Sequence, residues 1–153
     1  MRNSLVGRYR PAVVLGACVS VVAVLAGSPA QDALTTNGLH YRIEGRGPTV
    51  VLIHAFHMDL REWDDVVPHL VRAKRVVRYD VRGHGRSKVT APLASSADDL
   101  LSLFDALNIP RATLVGVSMG SNIALDFALT HPARVDGLVL LSPGLAGIKA
   151  SGS

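Results

Sequence analysis

The chain has 153 residues, 48% of them hydrophobic and 18% charged, which is enough for one domain with a substantial apolar core. Its formal net charge is +4, but Arg2, Arg8 and Arg10 lie in a leading segment without acidic residues. Without these three arginines the net charge falls to +1, so charge gives no reason to expect a nucleic-acid partner.

Residues 1–30 have the order of features that is typical of a secretory signal peptide. The basic start is followed by the apolar run Ala12–Ala26, and then by Ser28-Pro29-Ala30, whose small residues suit cleavage after Ala30. We therefore predict a secreted or periplasmic protein. A retained membrane anchor is the alternative, although the run is shorter than the ~20 residues of a membrane span. A lipid anchor on Cys18, the only cysteine, is a weaker alternative.

Beyond the leader we expect a polar lead-in over 31–37, a domain over 38–145 and a tail over 146–153. Alternating apolar and polar residues predict a half-buried strand over 39–43, and short apolar runs predict strands over 50–53, 75–79, 112–117 and 137–141. Apolar residues at helical spacing predict helices between them, marked by Trp63, Val66, Val67 and Leu70, by Ala97, Leu100, Leu101, Phe104 and Leu107, and by Ile123, Ala124, Phe127 and Ala128. This alternation predicts an α/β fold with a mostly parallel sheet, helices on both faces, and function at the carboxyl ends of the strands.

A G-x-S-x-G motif, Gly116-Val117-Ser118-Met119-Gly120, joins the strand 112–117 to the third helix. Between a buried strand and an apolar helix, this motif indicates a nucleophile elbow. The glycines relieve crowding in a strained turn, and the helix N-terminus offers backbone donors to developing negative charge. The alternative is a serine that only caps the helix.

Two further loops follow buried strands at the same edge of the predicted sheet. His54-Ala55-Phe56-His57 follows the strand 50–53, where a backbone N–H can point at the same oxyanion. We expect a structural role for His54, and an isolated H-x-x-H is too weak to predict a metal site. The loop Asp80–Ser87 is expected to be held by its own ion pairs and hydrogen bonds. No phosphate-binding motif is present, and we predict no cofactor.

Together the three motifs resemble the α/β-hydrolase fold family, in its broad group of esterases, lactonases and peroxidase-like members. VLIHAFHMDLREW is similar to the family's third strand and oxyanion loop, and DVRGHGRS to its signature loop after the next strand. LVGVSMGSNIALDFALTHPARVDGLVLLSP is similar to its elbow, the following helix and the next strand. The resemblance implies a small ester-like substrate, Ser118 as nucleophile, the N–H groups of Phe56 and Met119 as oxyanion hole, and Gly116 and Gly120 as elbow glycines.

The sequence departs from the family pattern in three places. Ala55 stands where the family usually has glycine, and Ser121 where it often has a second glycine. The family places its acid and histidine beyond the strand that ends near Leu141, but residues 142–153 contain no Asp, Glu or His. None of the six histidines fits the order serine, acid, histidine. We therefore expect the fold to stop after this strand, and the chain alone to have little activity.

Two other interpretations remain beside the hydrolase. The chain is either a non-catalytic remnant or binding module that keeps half of the sheet, or a fragment that a second chain completes. In the chain alone, the last strand near Leu141 would be an exposed apolar edge, which invites pairing with another strand or aggregation.

Overall fold

A six-stranded sheet organises residues 30–88 and 95–144, which are the part of the chain that the computed structural model describes. Its strands are β1 (Gln31–Leu34), β2 (His40–Gly45), β3 (Thr49–Ile53), β4 (Arg75–Tyr79), β5 (Ala112–Val117) and β6 (Val135–Leu141). The α-helices are α1 (Val67–Leu70), α2 (Ser96–Ala106) and α3 (Met119–Thr130), with 3-10 turns at Leu60–Trp63 and Pro132–Arg134. Among these residues no helix is long and apolar enough to span a bilayer. Most of the predicted signal peptide and the predicted tail lie outside the described residues.

The strand order is β1-β2-β4-β3-β5-β6. β3 is parallel to both β4 and β5, and β5 is parallel to β6. β1 and β2 extend the sheet in antiparallel fashion beyond β4. The mostly parallel α/β sheet predicted from the sequence is therefore confirmed. The structure adds β1 within the stretch that was expected only as a polar lead-in.

Helices cover both faces of the sheet, as predicted, but unequally. On one face, α2 and α3 enclose the larger core, which includes Leu39, Val51, Ile53, Val77, Leu100, Leu103, Phe104, Leu114, Ile123 and Phe127. On the other face, Trp63 and Val67 pack on Val50, Leu52 and Val76.

The helix predicted around residues 63–70 is two short pieces in the structure. A 3-10 turn ends at Trp63, and α1 begins at Val67 with Pro68 in its first turn. Proline has no N–H to donate, so Pro68 fits the start of a new helix and not the interior of a longer one.

β6 is the open edge of the described sheet. Leu138, Val139 and Leu141 expose 37%, 46% and 46% of their surface. The register places Val139 beside Val115 of β5, on the face that carries α1. The turn Leu60–Trp63 and α1 contact mainly β3 and β4, so the apolar surface over β5 and β6 stays exposed within the described residues.

Candidate functional site

Ser118 lies at the junction of β5 and α3, at the carboxyl end of the parallel strands. Its backbone has φ 50° and ψ −110°, in the positive-φ region that costs a non-glycine residue on the order of 1–3 kcal/mol. Ser118 is exposed, and its side chain makes no capping hydrogen bond to α3. The structure therefore gives no support to the alternative that Ser118 only caps the helix. Its hydroxyl is exposed to solvent and is not used in capping α3.

Gly116 and Gly120 allow the turn around Ser118 to close. A Cβ on Gly116 would overlap the carbonyl group of Gly120, and a Cβ on Gly120 would overlap the carbonyl oxygen of Ile53. These overlaps are with backbone atoms, which cannot move aside as a flexible side chain can. The two glycines thus hold the elbow directly against the end of β3.

The elbow is also held against the end of β6. The Ser118 N–H donates to the Leu141 carbonyl at 2.8 Å. Ser121, which is fully buried, places its Oγ within 3.0 Å of backbone atoms of both Gly116 and Leu141. Sequence reasoning noted Ser121 only as a departure from glycine. The departure from glycine was the only feature of the sequence that could have pointed to this role of Ser121. The contact itself joins residues that are 20 positions apart, which no local pattern predicts.

The loop after β3 starts beside the elbow, since Gly120 packs on Ile53. Its turn is closed by two bonds: Ala55 N–H donates to Glu62 Oε2 at 2.8 Å, and Met58 N–H donates to the Ala55 carbonyl at 3.2 Å. The N–H groups of Phe56 and Met119 have no acceptor among the described residues. Both amides are thus free to donate to an oxyanion.

His54 is fully buried and joins this loop to the loop after β4. Its Nε2 accepts a hydrogen bond from the Val81 N–H at 2.9 Å, so the proton is on Nδ1, which donates to the Ala55 carbonyl at 2.7 Å. With both ring nitrogens occupied, His54 cannot join His57 as a metal ligand and has the structural role that we expected. Burial lowers the pKa of His54, because desolvation penalises the imidazolium form.

The free energy of unfolding is expected to decrease as the pH falls below 6.5, the ordinary pKa of a histidine such as His54. There the unfolded chain binds a proton that the folded chain resists, so acid favours unfolding. The variant His54→Gln should cost about 1–3 kcal/mol at pH 8, because buried backbone groups lose their partner, and should flatten the decline. Denaturant melts from pH 8 to pH 5 measure this, with His69→Gln at an exposed position as control. An unchanged slope in His54→Gln would assign the decline to another group.

Asp80 organises the loop Asp80–Ser87. Its carboxylate is 2% exposed and accepts hydrogen bonds from the Leu60 N–H at 2.8 Å and the Arg86 N–H at 2.7 Å, and it lies 2.7 Å from His40 Nδ1. The Ser87 hydroxyl donates to the Asp80 carbonyl at 2.6 Å. Hydrogen bonds within the loop thus hold it as expected, but its ion-pair partners, such as His40 for Asp80, lie outside the loop.

His40 extends this network to β1. Its Nε2 lies 2.7 Å from Asp32 Oδ1, and Arg86 contacts the same carboxylate oxygen at 3.0 Å. The hydrogen bond from His40 lowers the pKa of Asp32. Sequence reasoning did not single out His40, whose partners lie 8 and 40 positions away. Within the described ranges, no three His, Cys, Asp or Glu side chains are grouped so as to hold a metal ion.

A parallel sheet whose strand β5 leads through a strained, exposed serine into helix α3 defines an α/β protein with a G-x-S-x-G turn between strand and helix. The family model described as alpha/beta hydrolase fold matches residues 48–150. The chain belongs to this family of hydrolases.

Solved structures and curated proteins agree with this assignment. A hydrolase from Pseudomonas aeruginosa PA01 is 35% identical with a TM-score of 0.67, over 76% of this chain and 46% of that one. The enol-lactonase from Burkholderia xenovorans LB400 is 36% identical with a TM-score of 0.63, over 71% of this chain and 45% of that one. A Caulobacter sp. (strain K31) protein, provisionally named carbamate hydrolase RutD, is 38% identical over 117 residues, which are 71% of this chain and 43% of that protein. The chain thus spans less than half the length of these relatives.

Proposed function

We propose that Ser118 is the nucleophile of a hydrolase that acts on ester-like carbonyl groups of small molecules. The observation that carries this proposal is the positive φ of an exposed serine, enclosed by two glycines whose positions exclude a side chain. Backbone strain of this kind persists where the surroundings enforce it and is frequent at active sites. The similarity to an enol-lactonase supports a carbonyl substrate.

In the proposed reaction, Ser118 Oγ bonds to the carbonyl carbon, and an electron pair moves onto the carbonyl oxygen. The N–H groups of Phe56 and Met119 donate to that oxyanion, supported by the positive end of α3. The intermediate then collapses to an acyl-serine, and the alcohol leaves with a proton. Water attacks the acyl group, which leaves as an acid and restores the hydroxyl.

The serine hydroxyl needs a general base, and its side chain has no hydrogen-bond partner among the described residues. We propose that polypeptide beyond these 153 residues, whether continuous with them or a separate chain, supplies the base and its acid by adding strands at the open edge of β6. Two facts support this: the apolar residues exposed along β6, and the greater length of the relatives. The 153-residue chain alone should then show at most the ~10³–10⁴-fold enhancement over water that binding and an oxyanion hole leave.

Labelling with a fluorophosphonate tests the proposal. This reagent bonds to a reactive serine oxygen and releases fluoride, and mass spectrometry of the digested protein locates the modified residue. We expect slow labelling confined to Ser118, accelerated by a polypeptide that carries the next strands, an acid and a histidine. Labelling spread over several serines would contradict a positioned nucleophile. Inertness even with the added polypeptide would favour the non-catalytic binding module.

We also propose that the protein is exported and cleaved after Ala30. β1 begins at Gln31, so this cleavage would remove no residue of the described sheet. Mass spectrometry of the protein from its host should give an N-terminus at Gln31. An intact Met1 in a cytosolic fraction would contradict cleavage, and a diacylglycerol group on Cys18 would replace it with the lipid-anchor alternative.

A further inference from the structure

The Ser121 hydroxyl joins the elbow to two strands at once. Its Oγ lies 2.7 Å from the Gly116 carbonyl oxygen of β5 and 2.9 Å from the Leu141 carbonyl oxygen of β6, and it accepts a hydrogen bond from the Leu141 N–H at 3.0 Å. The Leu141 carbonyl also accepts the Ser118 N–H at 2.8 Å. The backbone of Ser118 and the buried hydroxyl of Ser121 therefore bind the same residue of β6.

We propose that Ser121 is a positioning residue for Ser118, fixing the elbow against Leu141. The inference rests on the proposed function, since it explains how the nucleophile is held. β6 is an edge strand without a neighbour on its outer side among the described residues, so its last residue is less constrained than those of inner strands. The Ser121 hydroxyl supplies that constraint. It also couples any strand that joins β6 to the turn that carries Ser118.

A glycine at position 121 would leave the Leu141 N–H without this acceptor and the Gly116 carbonyl without this donor. An alanine would fill most of the space but would also lose both bonds. The variant Ser121→Ala thus removes the hydroxyl and little else. Ser87 offers a matched control, because its Oγ likewise joins two backbone groups, the His40 N–H at 2.8 Å and the Asp80 carbonyl at 2.6 Å, elsewhere in the fold.

The test compares fluorophosphonate labelling of the wild-type chain, Ser121→Ala and Ser87→Ala over a range of reagent concentrations. For Ser121→Ala we expect the maximal labelling rate at Ser118 to fall about tenfold, with an unchanged half-saturating concentration. Ser87→Ala should lose melting temperature to a similar extent but keep the wild-type labelling rate. A general loss of stability would slow labelling in both variants and would not confine the lower labelling rate to Ser121→Ala.

Amide hydrogen exchange gives a second readout that does not depend on reactivity. In Ser121→Ala the Ser118 and Leu141 amides should exchange about tenfold faster, while amides of β3 should not change. Equal labelling and equal exchange in the wild-type chain and Ser121→Ala would overturn the inference. A wild-type chain that does not label even with the added polypeptide would refute the proposed function, and the exchange rates would then decide the role of Ser121. Should Ser121→Ala not fold, Ser121→Cys, a weaker donor and acceptor, takes its place with the same expected direction.

Discussion

Replacing Ser118 with glycine is expected to abolish covalent labelling and to raise the stability of the chain by about 1 kcal/mol. Glycine adopts a positive φ without steric cost, so the strain at φ 50° is relieved, partly offset by the greater freedom of glycine in the unfolded chain. Ser118→Ala should abolish labelling equally but should keep the strain and the wild-type stability. Denaturant melts and fluorophosphonate labelling of both variants measure the two effects separately.

The difference in stability between the glycine and alanine variants isolates the cost of the strained backbone at position 118. Ser96→Ala, in the first turn of α2, is a suitable control that should label at Ser118 as the wild-type chain does. A glycine variant that is no more stable than the alanine variant would show that the turn is unstrained. Labelling that persists in Ser118→Ala would place the reactive group elsewhere.

The variant Asp80→Ala is expected to cost about 3–5 kcal/mol, a large part of the stability of a small domain. Its buried carboxylate accepts the N–H groups of Leu60 and Arg86 and pairs with His40, so alanine would leave three donors without a partner. Gly85 packs on the same carboxylate with φ 51°, and the loop around it would lose its centre.

Asp80→Asn should be intermediate, because it keeps one oxygen acceptor but turns an N–H₂ group toward a donor. Asp65→Ala, at an exposed position, controls for the loss of a negative charge. Urea melts of the three variants provide the comparison. A loss below about 1 kcal/mol in Asp80→Ala would mean that water replaces the carboxylate more effectively than its burial suggests.

The inner strands could be predicted because each is a short β-branched run, as in residues 50–53, that needs cover on both faces. β1 could not, because Gln31–Leu34 is largely exposed and has no apolar pattern. It forms through its backbone pairing with β2 and through Asp32, whose partners come from distant positions. The short α1 was mistaken for part of a longer helix because apolar spacing outweighed Pro68 in the prediction.

In the candidate site, too, the features set by neighbouring residues could be predicted, and those set by contacts between distant residues could not. The turn at Ser118 is encoded by five consecutive residues, and the motif was sufficient to place it between a strand and a helix. The roles of Phe56 and Met119 came only through family resemblance. The contacts of Ser121 with Leu141 and of His40 with Asp80 depend on how strands are ordered in the sheet, which no local pattern states.

The unequal cover of the two sheet faces has a spectroscopic consequence. Trp63 is the only tryptophan, and it lies under the thinner cover, where its indole N–H has no hydrogen-bond partner among the described residues. The segment around it is a single 3-10 turn followed by a four-residue helix, and none of its residues belongs to the core that α2 and α3 enclose. Intrinsic fluorescence will therefore report the loosening of this one face, whereas far-ultraviolet circular dichroism will report the loss of the domain.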